Sequence, residues 1–274
     1  MNLPYLIPRL IRHFLPERIV RILLLRGIII QAGLETSDPT HAVQRYADIL
    51  SEHGLAFENK RVLVFGYGGR FDIGVELLRQ GAKHVILCDK YAPPDEVHNR
   101  KMLVVEEQYF VLEHGDLRPR PEWMTLFEGD IRDVHVRNTI DPVDIVLSSS
   151  VYEHVDDVEG ITRALARLTK PDGMNIHYVD LRDHFFKYPF EMLQFSEKTW
   201  RNFLNPSSNH NRYRLWNYRQ AFEAGFDNVG IEILARDSEA FRRKQPVILP
   251  QFLSENAAEN DVTLIRVIAR DPMK

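Results

Sequence analysis

The residues Gly66-Tyr67-Gly68-Gly69 follow an apolar run, Val62-Leu63-Val64-Phe65, and precede Arg70-Phe71-Asp72-Ile73-Gly74. Glycine takes positive φ without strain and, lacking a Cβ, lets a ligand approach the backbone. A helix starting just beyond such a turn offers free N–H groups and a favourable dipole end to an anionic group. A glycine turn alone also serves as a plain strand–helix junction, so its chemistry depends on its companions. Asp89 is one companion, at the end of the next apolar run, His84–Cys88. It follows the loop by about 20 residues, the interval at which a carboxylate can accept the ribose hydroxyls of an adenosine. Loop and acid together point to an adenine-ribose cofactor, with Gly66, Tyr67, Gly68, Asp89 and the adjoining Lys90 as its contacts.

Two further segments carry polar residues out of apolar runs. In Phe127-Glu128-Gly129-Asp130-Ile131 the acid Asp130 can accept an exocyclic amino group, while Ile131 packs on the ring; an ordinary Gly-Asp turn reads the same way. In Asp144-Ile145-Val146-Leu147-Ser148-Ser149-Ser150-Val151-Tyr152-Glu153-His154-Val155 an apolar run ends in hydroxyls and a Glu-His pair. Ligands of open α/β sheets bind beyond the carboxyl ends of the strands, so Ser148 and Ser149 belong beside the cofactor. His154 and His184 are the candidate general bases, since an imidazole titrates near neutral pH. Asp180, Asp183, His210 and Arg212 are the candidate acceptor contacts; an arginine can clamp a carboxylate or phosphate. Each has an ordinary structural reading beside the functional one. His177, Asp180, Asp183 and His184 lack any recognisable ligand spacing, so no metal is expected.

These residues need elements to hold them. Arg61–Phe65, His84–Cys88, Met124–Glu128, Val143–Leu147 and Met174–Val179 read as strands. Asp72–Gln80, Asn99–Phe110 and Val158–Leu168 read as helices between them, and Arg219–Ala224 as the end of another. Strand–helix alternation implies a parallel sheet covered on both faces. Val229–Ala235 and Val262–Ala269 have only a long connection between them, which implies an antiparallel pair at the sheet edge. The stretch 183–214 breaks the alternation with aromatics, His, Asn and Arg, and such long connections are often lids or binding loops. Residues 1–54 read as a helical extension and 55–274 as the α/β domain. Asp38-Pro39-Thr40 has the form of a helix start.

The chain has 274 residues, 44% of them hydrophobic, enough for one large domain. A net charge of −4 argues against a dedicated nucleic-acid binder. The one cysteine, Cys88, excludes an internal disulfide and fits a reducing, cytoplasmic setting. Leu10, Phe14, Ile19, Leu23 and Leu24 are spaced along one helix face with arginines between them. That segment reads as a cap on the domain, or as a basic amphipathic helix against a membrane surface or a second subunit, as in a homodimer. Its apolar runs fall short of the ~20 residues of a membrane span.

The ordered segments resemble the class I S-adenosylmethionine-dependent methyltransferases, over roughly residues 60–236. Tyr152-Glu153-His154-Val155-Asp156-Asp157 resembles the segment that follows the fourth strand in the small-molecule branch. Leu165–Gly173 (LARLTKPDG) resembles that family's run from the fourth helix into the fifth strand. The resemblance implies a Rossmann-like three-layer fold whose seven-stranded, mostly parallel sheet has an antiparallel last strand. It implies that Gly66 and Gly68 flank the methionine moiety, Asp89 binds ribose, Asp130 and Ile131 contact adenine, and Ser148 and Ser149 lie near the methionine end. Val64 departs from it, standing where family members often carry an acid. The implied reaction is methyl transfer to a small-molecule acceptor, an O-methylation of a sugar, glycan or natural-product hydroxyl. An NAD-dependent oxidoreductase and a non-catalytic protein on the same fold are the alternatives.

Overall fold

The computed structural model describes residues 3–15, 19, 38–183, 188–205 and 210–273. Seven strands form the central sheet: β1 (Arg61–Phe65), β2 (His84–Asp89), β5 (Met124–Glu128), β6 (Val143–Ser149), β7 (Thr169–Asp180), β8 (Phe226–Arg236) and β9 (Val262–Pro272). Their order is β5-β2-β1-β6-β7-β9-β8. All run in the same direction except β9, which inserts antiparallel between β7 and β8. The last two strands thus form the expected antiparallel pair, with β9 one place in from the edge.

Burial follows this order. The three middle residues of β1 are all buried, as a central parallel strand requires. β8, at the edge, has exposed residues at every second position through much of its length. On one face of the sheet, helices α1 (Leu3–Phe14) apart, α2 (Pro39–Glu52) and α3 (Asp72–Arg79) pack over Val62, Val64, Val85 and Leu87. On the other, α4 (Val158–Leu168) and α5 (Leu215–Glu223) pack over Leu63, Ile86, Val146 and Val267. Each such aliphatic side chain contributes about 1.5–3 kcal/mol on full burial. Asp38 caps α2 by accepting from His41 N–H, with Pro39 in the first turn.

The segment read as a helix over Asn99–Phe110 is not one. A short turn at Glu96–Asn99 passes into 3₁₀ turns at Arg100–Val104 and Glu107–Tyr109. Then β3 (Phe110–Glu113) and β4 (Asp116–Pro119) form a separate hairpin. His114 and Gly115 both take positive φ, 52° and 91°, as a tight two-residue hairpin turn demands. Tertiary bonds override the local pattern upstream: Asn99 Nδ2 donates to Gly69 O and Asn99 Oδ1 accepts from Phe71 N–H.

A third, smaller cluster lies under residues 188–205. Tyr5 and Leu6 of α1 pack there with Phe190, Met192, Leu193, Trp200 and Leu204. Asp183 anchors the helix: Tyr5 Oη donates to it at 2.6 Å and Arg9 Nε at 2.7 Å. Ile19 is the next described residue, and Leu23 and Leu24 of the expected apolar face lie outside the described residues.

Candidate functional site

The strand order reverses direction between β1 and β6, and the crevice outside the carboxyl ends at such a point is where α/β sheets bind ligands. The glycine loop leaves β1 on one side of it and Ser149-Ser150-Val151 leave β6 on the other. Three glycines serve three purposes. At Gly66 (φ 80°) a Cβ would overlap the Val151 methyls, so this close approach is used by a protein side chain. At Gly69 (φ 85°) a Cβ would overlap Pro93 O, where Asp95 N–H donates to Gly69 O at 2.8 Å. Gly68 (φ 71°) is exposed, so its backbone, apart from the N–H bonded to Asp89, faces solvent.

Tyr67 turns inward, 4% exposed, and stacks on Phe71. Burial, reinforced by the charges of Asp89 and Glu128, pushes its hydroxyl well above the usual phenol range. That hydroxyl has no hydrogen-bond partner among the described residues. It is an orphaned donor beside the loop, and with the open Gly68 backbone it fits a cofactor bound across this turn.

The carboxylate of Asp89 organises the loop. Oδ2 accepts from Gly68 N–H at 3.1 Å, and Oδ1 accepts from Tyr91 and Ala92 N–H, each at 2.8 Å. A carboxylate has about four acceptor sites, so one remains, on Oδ2. The two-hydroxyl ribose contact expected from sequence is reduced to one. Asp130 has none left: Arg132 N–H and Nε reach Oδ1, and Arg132 Nη2 and Lys90 Nζ reach Oδ2 at 2.6 and 3.0 Å. Hydrogen bonds from Arg132, joined by Lys90, hold its carboxyl far below the usual range. Its expected acceptance of an adenine amino group is therefore already taken by cations. Ile131 is 1% exposed and belongs to the core with Leu63 and Cys88, so it has no free face for a ring.

Ser149 is half-buried at the end of β6, whereas Ser148 is fully buried. Ser148 Oγ lies 2.7 Å from His177 Nδ1, inside the sheet rather than at its end. Burial lowers His177 to about 3, which keeps the ring neutral.

His154 ends a 3₁₀ turn, Tyr152–His154, and is half-buried. Its ring meets that of His210 edge-on, centroids 5.6 Å apart. Asn211, which no sequence signal singled out, holds this turn. Its N–H donates to Glu153 O and its Nδ2 to Tyr152 O and Val155 O, all at 2.8 Å. Its Oδ1 accepts from Tyr213 N–H and Tyr218 Oη at 3.1 Å.

The four expected acceptor contacts are turned into the protein. Asp180 is paired with Arg182, whose Nε and Nη2 donate at 2.9 and 2.8 Å. Asp183, fully buried, holds Tyr5 and Arg9. His210 has both ring nitrogens at backbone carbonyls, Nδ1 at Asn211 O, 2.5 Å, and Nε2 at Arg182 O, 2.9 Å. Arg212 donates to Met192 O and Phe195 O, pairs with Glu197 and lies over the Trp200 ring. A guanidinium so engaged is not a clamp for an incoming anion. His184 lies outside the described residues. Among the described residues no group of three or more His, Cys, Asp or Glu is arranged to hold a metal.

A family model described as a methyltransferase domain matches residues 98–176. The structure is similar to that of a proposed sarcosine dimethylglycine methyltransferase from Galdieria sulphuraria, at 13% identity over 93% of this chain and 98% of that one, TM-score 0.53. An S-adenosylmethionine-dependent methyltransferase from Mesorhizobium loti matches at 15% identity over 81% and 96%, TM-score 0.44. An O-methyltransferase family protein from Burkholderia thailandensis matches at 13% identity over 86% and 58%, TM-score 0.48. No curated protein matches in sequence. The antiparallel β9 inside the sheet also separates this chain from dinucleotide-binding sheets, whose strand order 3-2-1-4-5-6 contains no such insertion.

Proposed function

We propose that this chain, whose residues 98–176 match a methyltransferase-domain model and whose sheet has the matching strand order, is a class I S-adenosylmethionine-dependent methyltransferase that O-methylates a small molecule bearing a free hydroxyl, such as a sugar, a glycan or a natural product. The observation that carries this reading is His154, a half-buried imidazole on the turn that follows β6, held there by Asn211. A hydroxyl needs help losing its proton as it becomes a nucleophile, and a positioned imidazole supplies it.

When bound, S-adenosylmethionine supplies an electrophilic methyl group on a sulfonium. In this reading Gly66, Gly68 and Ser149 line its methionine end, with the Tyr67 hydroxyl as a donor. The open site on Asp89 Oδ2 takes one ribose hydroxyl. Lys90 and Asp130, with Arg132, form a charged wall at the adenine end. His154 accepts the proton of the acceptor hydroxyl, and His184 is the second candidate for that step. Asp180, Asp183, His210 and Arg212 support the acceptor side from behind by fixing the backbone that borders it. Alignment of the nucleophile supplies much of the rate, because it converts an encounter into an intramolecular step.

The test pairs binding with turnover. Calorimetry with S-adenosylmethionine is expected to show one site per chain. Labelled cofactor offered to a panel of hydroxyl, amine and carbon acceptors is expected to label hydroxyl compounds. Labelling confined to amines or carbon acceptors would overturn the O-methylation reading and leave cofactor binding intact.

A further inference from the structure

Helix α1 has two faces with different fates. The inner face is bound: Tyr5 and Arg9 to Asp183, Arg9 also to Leu204 O, His13 Nδ1 to Asn205 O, and the Arg9 guanidinium over the Trp200 ring. The outer face is apolar and bare. Leu3, Ile7, Leu10, Ile11 and Phe14 are 52, 52, 38, 58 and 67% exposed. Their spacing of three and four places them in one stripe along the helix. Soluble surfaces scatter single exposed apolar residues, whereas a contiguous stripe marks a contact.

Charge identifies the contact. Residues 1–30 hold five arginines and one glutamate, while the rest of the chain has 30 Lys and Arg against 38 Asp and Glu. The protein as a whole is acidic, and its positive charge is concentrated in the segment that carries the bare stripe. Arg9 is neutralised by Asp183, which leaves Arg12, Arg18, Arg21 and Arg26 of that segment. A second copy of the chain would bring two such segments together, like charge on like. A helix of 12 residues is also a small contact, about 18 Å long at ~1.5 Å per residue and about 10 Å wide. That is roughly 180 Å² against the ~800 Å² per partner of a standard protein interface. Apolar side chains flanked by arginines instead match an anionic bilayer surface, where the stripe enters the acyl boundary and the cations meet the headgroups. Among the described residues no helix is long and apolar enough to cross a membrane, so the helix would lie along it.

We propose that α1 is an interfacial helix that docks the protein on an anionic membrane surface through Leu3, Ile7, Leu10, Ile11 and Phe14. Its tether to Asp183, three residues beyond β7 on the ligand-binding side of the sheet, keeps the docked surface joined to the acceptor side. Docking does not depend on the methyl acceptor, so each reading can fail without the other.

The test is co-sedimentation of the full chain with vesicles of phosphatidylcholine alone and of phosphatidylcholine mixed with phosphatidylglycerol. Partitioning is expected to be at least about tenfold stronger on the anionic vesicles, at ~1 kcal/mol per arginine near the surface, and to fall with added salt. Ile7→Asp with Ile11→Asp is expected to abolish it while the thermal unfolding curve is kept. Phe14→Asp, at the most exposed position, is the second variant should the pair perturb folding. Equal or absent partitioning on both vesicle types would overturn the proposal. So would a dimer in solution that the same substitutions convert to monomer.

Discussion

The cofactor side and the acceptor side of the crevice are built by opposite uses of polar residues. On the cofactor side the carboxylates stand at strand ends and stay partly exposed, Asp89 bonded to backbone N–H groups and Asp130 to Arg132 and Lys90. Between Asp180 and Arg214 they are turned inward and bonded to one another and to carbonyls. Arg214, fully buried, donates to Val262 O at 2.7 Å, and burial lowers it to about 10. Polar richness therefore means exposure to ligand in one region and a bonded interior in the other. The difference arises because the described residues of 180–214 form few regular elements to satisfy their backbone, so side chains do that work.

Five measurements can break or sharpen this contrast. The largest effect is expected at His154. His154→Ala should lower the rate of methyl transfer by about 10²–10⁴-fold with cofactor affinity unchanged, read by turnover on a hydroxyl acceptor and by calorimetry. Asp183→Ala should come next, destabilising the fold by about 3–5 kcal/mol because it leaves Arg9 buried without its counter-charge; urea unfolding measures it. If unfolding is unchanged and acceptor binding is lost instead, Asp183 belongs to the crevice after all.

The same carboxylate sets a pH dependence. Burial would raise Asp183, but Arg9, with His210 and Tyr5, outweighs that and holds it below its ordinary value. Its stabilisation is thus fully present above the usual carboxylate range and is lost as pH falls through the lower folded value. Limited proteolysis across acid pH should show α1 released in that window. On the cofactor side, Asp89→Ala removes the acceptor of three backbone N–H groups and the proposed ribose contact. It should weaken cofactor binding by about ten- to a hundredfold, at 1.5–3 kcal/mol for a charged hydrogen bond. The smallest effect is expected at Lys90, whose half-exposed pair with Asp130 contributes under about 1 kcal/mol. Lys90→Ala frees one site on Asp130 Oδ2, so cofactor affinity should hold or rise. A fall would assign Lys90 itself to the cofactor.

The contrast also explains what could be read from the sequence. The strands β1, β2 and β6 announce themselves as short apolar runs ended by Gly, Asp or Ser, because a buried parallel strand must be apolar on both faces. Val158–Leu168 is legible for the same local reason, an apolar period with Asp157 capping it. Asn99–Phe110 is not, because its apolar residues mimic a helix while Asn99 is claimed by the glycine loop. Ile131 and Tyr67, both expected from sequence at the cofactor, are buried instead, since the same strand end exposes one neighbour and buries the next. Asn211 carries no motif at all; its role exists only in the fold, where the turn bearing His154 comes within reach. Nor does spacing along the chain betray that Asp183 would be spent on Arg9.

The tether between α1 and Asp183 has a consequence in time. Tyr5 and its carboxylate partner are 178 positions apart. At synthesis rates of about 5–20 residues per second, that partner follows the helix by roughly 10–35 s. Throughout that interval both faces of the helix are uncovered on the growing chain. The growing chain must therefore keep this helix out of unwanted contacts until Asp183 has been made.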